Sequence, residues 1–105
     1  MTNILKIPTS FQLFGQTIDV EWQSSLAQDR DGQAGQGWFR KNKIVLQLPC
    51  DGVQVERTFT EDTFLHELIH FILENIGSGD LGQDEKFVRA FAGLLHQALK
   101  TAKYE

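Results

Sequence analysis

The sequence predicts an α+β domain, a small antiparallel or mixed sheet of three to four strands followed by two helices. Two strand-rich stretches, residues 4–22 and 37–48, fill the first half of the chain. The second half carries apolar residues at helical spacing in two runs. The turn-rich Gly77-Ser78-Gly79-Asp80-Leu81-Gly82 parts them. A chain of 105 residues suits one domain, spanning 1–105.

Pro8 cannot donate to a sheet ladder, so it precedes or opens the first strand. Phe11-Gln12-Leu13-Phe14 alternates in part, and Gly15-Gln16 interrupts it. Thr17-Ile18-Asp19-Val20-Glu21-Trp22 then alternates cleanly, with Ile18, Val20 and Trp22 on one face. So short a connection reads as a hairpin. Residues 24–37 hold little that is apolar and read as a loop. Asp29-Arg30-Asp31-Gly32 begins like a calcium loop but lacks the later ligands and the closing Glu, so a solvated turn is expected. Gly37-Trp38-Phe39-Arg40 is a strand, Lys41-Asn42 its hairpin connection, and Lys43 to Leu48 a further strand stopped by Pro49. Val53 to Phe59 is read as a last short strand.

The first helix follows, with Thr60 as N-cap, Glu61 and Asp62 at the positive end of the macrodipole and Gly77 as stop. Its stripe is Leu65, Leu68, Ile69, Ile72 and Ile76. The second helix runs from about Gln83 to Ala102 with a stripe of Phe87, Val88, Phe91, Leu94, Leu95 and Ala98.

A net charge of −4 without any basic run argues against a nucleic-acid footprint. No apolar run is long enough to span a bilayer, and the first residues do not form a leader, so a cytoplasmic location with no membrane partner is expected. Cys50 stands alone and is read as a structural thiol.

Within the first helix lies His66-Glu67-Leu68-Ile69-His70. Histidines four apart sit one turn apart on one helix face, so both imidazoles reach one metal ion. The intervening Glu67 projects to one side, where a carboxylate can take a proton from a water. A Lewis acid, an activated water and a general base are the requirements of metal-dependent peptide hydrolysis. At about 100° per residue, His66 and His70 flank the apolar stripe rather than sit in it.

A catalytic zinc wants a third protein ligand. The candidates are Glu74, Asp80, Asp84, Glu85 and His96. Glu74 lies two turns, roughly 12 Å, from His66. A third histidine six residues after His70 is absent, since that position is Ile76. Asp84 lies near the centre of its stripe. Glu85 is offset in the same rotational sense as the two histidines, so antiparallel packing would bring Glu85 to them. Glu85 is preferred, with Asp84 as the alternative.

HELIH followed by Glu85, Val88, Phe91-Ala92 and Leu94-Leu95 resembles the zincin-like metallopeptidases of the gluzincin type. More closely, it resembles small phage- and prophage-encoded metallopeptidase-like proteins, distant relatives of ImmA/IrrE-type proteases. The opening IPTSFQLFGQTIDV and the strand IVLQ fit the same layout. The chain departs from ImmA/IrrE-type helices at Val88-Arg89, where those carry Ala-Asn. The resemblance implies a minimal zincin-like domain, Zn2+ held by His66, His70 and Glu85, Glu67 as general base, and a peptide or protein substrate. It supplies no evident oxyanion donor, since His96 and Tyr104 are expected to be structural or exposed. A zinc peptidase is therefore one expectation. A weakly active or inactive zinc-binding interaction module of the same fold is the other.

Overall fold

In the computed structural model, the structure describes residues 5–23, 35–38, 42–47 and 57–104. Among these residues four strands form one sheet: β1 (Ser10–Leu13), β2 (Gln16–Gln23), β3 (Gly35–Trp38) and β4 (Lys43–Gln47). Three helices follow: α1 (Arg57–Asn75), the single turn α2 (Gly79–Gly82) and α3 (Glu85–Thr101). The arrangement is α+β, as expected.

The sheet order is β1-β2-β4-β3. β1 and β2 are an antiparallel hairpin with Phe11 opposite Ile18. Its turn is Phe14-Gly15, one residue earlier than the sequence suggests, and both residues have positive φ, 51° and 77°. Two such residues in succession match the twist of a tight two-residue hairpin. Phe14 accepts this backbone with its ring in solvent. β3 and β4 are also antiparallel, and Asn42 just before β4 has φ 49°. β3 begins two residues before the expected Gly37.

β2 and β4 pair in parallel, Val20 opposite Ile44, so the sheet is mixed. β4 is thus an inner strand, and Ile44, Val45, Leu46 and Gln47 are all buried. Such an unbroken run marks a strand covered on both faces. In β2 the alternation holds: Ile18 and Val20 are buried while Asp19 and Glu21 are exposed. Trp22, at the strand's end, is partly in solvent.

α1 lies in the middle of the molecule. It touches β3 and β4 on one side and α3 on the other. Its buried apolar residues are Phe64, Leu65, Ile69, Phe71 and Leu73. At 100° per residue they cover roughly 200° of the circumference, far wider than a surface helix needs. They join Ile18, Val20, Ile44, Leu46, Val88 and Ala92 in one core. The ring of Phe11 meets Phe64 edge-on at 6.0 Å.

Several expectations are corrected here. Arg57, Thr58 and Phe59 are helical rather than the end of a strand, and Val53 to Glu56 lie outside the described residues. Thr60 is therefore a buried residue inside α1, not its N-cap. Glu61 is not a solvated dipole partner but is fully buried in an ionic cluster. Ile72 and Ile76 stand exposed although they fall inside the same arc by angle: Ile72 is in the last turn of α1 and Ile76 lies just past its end. Phe91 and Leu94 of α3 are also exposed, at 49% and 70%. α3 packs through Val88, Ala92 and His96, about 100° round from the centre of the stripe read from the sequence. Gln83 precedes α3 instead of beginning it. Cys50, the Asp29–Asp31 turn, Lys41, Phe39, Arg40 and Leu48 fall outside the described residues.

Gly77 ends α1 as expected. Its φ is 78°, Ser78 N–H donates to Leu73 C=O at 2.8 Å and Gly77 N–H donates to Glu74 C=O at 3.2 Å. This glycine stop satisfies the helix's last carbonyls and turns the chain into α2.

Candidate metal centre

The His66 and His70 side chains stand one turn apart on the rim of the buried arc of α1, half-buried. α3 brings Glu85 against them from its first turn. His66 Nε2 and His70 Nε2 are 3.2 Å apart. Glu85 Oε2 lies 3.2 Å from His66 Nε2, and Glu85 Oε1 lies 3.1 Å from His70 Nε2. Ligands around a tetrahedral zinc at 2.0–2.1 Å are separated by about 3.3 Å. The three side chains therefore have the spacing of ligands that share one ion, and they form the one such group of three among the described residues.

Their electrostatics agree. Burial lowers the pKa of His66. The charge on Glu85 acts the other way, and the fields of His70 and Arg89 lower it further. A neutral imidazole is the ligating form. With His66 neutral, its approach to Glu85 is not a salt bridge. Two ring nitrogens and a carboxylate then face one another with few protons to share, and a cation at their centre would satisfy all three. Burial also pushes the Glu67 carboxyl up, to about 7, with the Glu85 charge adding to the effect. A carboxyl beside the ligand set and close to neutrality suits proton transfer.

α2 is short, but it shapes what lies beside His70. A cleft of 330 Å³ is lined by His70, Glu74, Gly79, Gly82, Gln83 and Glu85. Glu74 thus faces this cleft and is no member of the ligand group. Asp80 is exposed on α2. Asp84 is the N-cap of α3, its Oδ1 accepting from Phe87 N–H at 3.1 Å. The same capped turn places the next residue, Glu85, at the histidines. The choice between Asp84 and Glu85 is thereby divided by role: one carboxylate holds the helix end and the next meets the imidazoles.

His96 is far from this group in function. It is buried, with Nε2 2.8 Å from Glu61 Oε1. Lys100 Nζ lies 2.9 Å from the same oxygen. Arg57 Nε and the Leu5 amide both donate to Glu61 Oε2 at 3.2 Å, and Arg57 Nη2 donates to Leu5 C=O at 2.6 Å. Sequence reasoning missed this cluster, because its partners are 35 and 56 residues apart. The one local signal was Arg57 four residues before Glu61. Tyr104 is 77% exposed. No helix among the described residues is long and apolar enough to cross a membrane. No family model, curated protein or solved structure matches this chain.

Proposed function

We propose that this domain is a zinc-dependent peptidase of the HExxH type, acting inside the cell, with His66, His70 and Glu85 as the protein ligands. The observation that carries the reading is the convergence of these three donors at 3.1–3.2 Å, with Glu67 next to them in the chain. The likeness of HELIH and Glu85 to the small phage-type zincin-like proteins supports it. Bound zinc would supply Lewis-acid polarisation of a carbonyl and acidify a water. Glu67 takes the proton of the attacking water and hands it to the leaving amine. His66, kept neutral by burial, stays a ligand rather than a competing acid. Asp84 and the first turn of α3 hold Glu85 in place. β3 is an edge of the sheet among the described residues and touches α1, and it is the candidate strand to which an extended peptide would add.

A second reading has its own observation. His96 is committed to Glu61, and Tyr104 stands in solvent, so neither residue offers an oxyanion donor. This favours a zinc-binding interaction module with weak or no turnover. The test is zinc content per chain and hydrolysis of a peptide library for wild type, Glu85→Ala and Glu67→Gln. The peptidase reading expects about one zinc in wild type, much weaker binding in Glu85→Ala, and zinc without turnover in Glu67→Gln. Zinc without turnover in wild type would leave the interaction module. No zinc in wild type after reconstitution would remove both.

A further inference from the structure

The cleft beside His70 has a composition that selects. Its lining residues are His70, Glu74, Gln83, Glu85 and two glycines, so the side chains that face it carry polar atoms, although carbon makes up much of the wall. Its 330 Å³ is at the small end of ligand sites, which run to about 1,000 Å³, and leaves room for one side chain or two. Of its two carboxylates, Glu85 has both oxygens turned to the histidines. The Glu74 side chain is exposed and has no hydrogen-bond or ion-pair partner among the described residues. The backbone makes room for it: a Cβ on Gly79 would stand 3.0 Å from Glu74 Oε2. The Glu74 carboxylate thus lies close against α2 at Gly79.

Acidic residues predominate in the sequence around the cleft, with Lys86 and Arg89 following on α3. From residue 58 to residue 85 the chain holds seven Asp or Glu and no Lys or Arg. Glu74 is the carboxylate of the lining that is not turned to the histidines. The Gln83 amide oxygen adds a neutral acceptor on the same wall.

We infer that this cleft is a specificity subsite that takes a lysine or arginine side chain of the substrate peptide, with Glu74 as its ion-pairing partner. The inference rests on the peptidase reading for its substrate class, and it is tested without turnover. The probes are fluorescein-labelled alanine hexapeptides carrying one Lys, norleucine or Glu, with that residue moved through each position. Their binding to zinc-loaded Glu67→Gln protein is followed by anisotropy, with zinc content checked in each variant. Norleucine keeps the length of lysine without its charge. At one position, Lys is expected to bind about five- to tenfold tighter than norleucine, and Glu more weakly than both. Adding Glu74→Gln should erase the preference, and Glu74→Lys should turn it toward Glu. An undiminished Lys preference in Glu74→Gln, or no peptide binding at millimolar concentration, would overturn the inference. Hydrolysis by wild type without any charge preference would leave the peptidase standing and remove the subsite. Binding selectivity that depends on Glu74, without hydrolysis, would do the reverse.

Discussion

Glu61 is a charge at the core's edge whose removal has a calculable pH signature. Burial pushes its pKa up, but contacts from His96, Lys100, Arg57 and the Leu5 amide outweigh it and hold the carboxyl at about 2. Asp62, on the same turn of α1, approaches His96 Nδ1 at 3.9 Å and is the other acid facing the cluster. The gap between 4.5 and about 2, at 1.36 kcal/mol per pH unit, amounts to about 3 kcal/mol. Arg57 is half-exposed, so its field is screened by water, and a net figure of roughly 1–2 kcal/mol is more realistic. The folded-state pKa is depressed. The stabilisation is therefore complete above the unfolded value near 4.5 and is lost as pH falls toward about 2. Glu61→Gln keeps the shape and removes the charge. Thermal unfolding in EDTA, at pH values from about 2 to 7, should show the wild type ahead by roughly 5–12 °C at neutral pH. That lead should shrink below pH 4.5 and vanish near pH 2. A lead that is constant over the whole range would show that packing, not charge, is what Glu61 contributes, and would refute the argument.

Two further outcomes separate neighbouring residues by role. Asp84→Ala should cost about 1 kcal/mol in denaturant unfolding by removing the cap of α3, while Asp84→Asn, another good cap, should cost little. Both should keep their zinc, and loss of zinc in Asp84→Asn would make Asp84 a ligand after all. On α3, Leu94→Lys should change stability by no more than about 0.5 kcal/mol, since the residue is 70% exposed. Val88→Ala on the same helix should cost about 2 kcal/mol, since Val88 is fully buried. Equal costs would mean that α3 packs by its most apolar face.

What was readable from the sequence was local. HELIH spacing is a property of one helix turn, and it placed two imidazoles at one point whatever α1 packs against. The β1–β2 hairpin and the alternation of Ile18 and Val20 are equally local. Rotational offset singles out Glu85, but the two stripes do not face each other. Glu85 meets His66 and His70 because it lies about 20° from the centre of the Val88, Ala92 and His96 face. The stripes themselves were misread where tertiary packing decides. Ile72 and Ile76 looked like core because they continue the stripe by angle, whereas they sit at and just past the end of α1 and stand exposed. Phe91 and Leu94 looked like core because size outweighed position, yet small Ala92 is what lets α3 come close. The parallel pairing of β2 with β4 depends on a crossover beyond any window of residues. The same is true of His96 finding Glu61.

The two polar clusters on α1 are connected by geometry. Glu61 near its start meets His96 and Lys100 near the end of α3, and His66 and His70 meet Glu85 at the start of α3. The helices therefore run antiparallel, and each contact fixes the same register independently. A slip of one turn, about 5.4 Å, would carry Glu85 out of reach of the imidazoles. Apolar packing between Ile69, Val88 and Ala92 tolerates small slides better than a buried carboxylate with four donors on it does. Glu61 thus contributes to the candidate metal centre without touching it. It sets the register in which Asp84 can cap α3 and Glu85 can face His66 and His70.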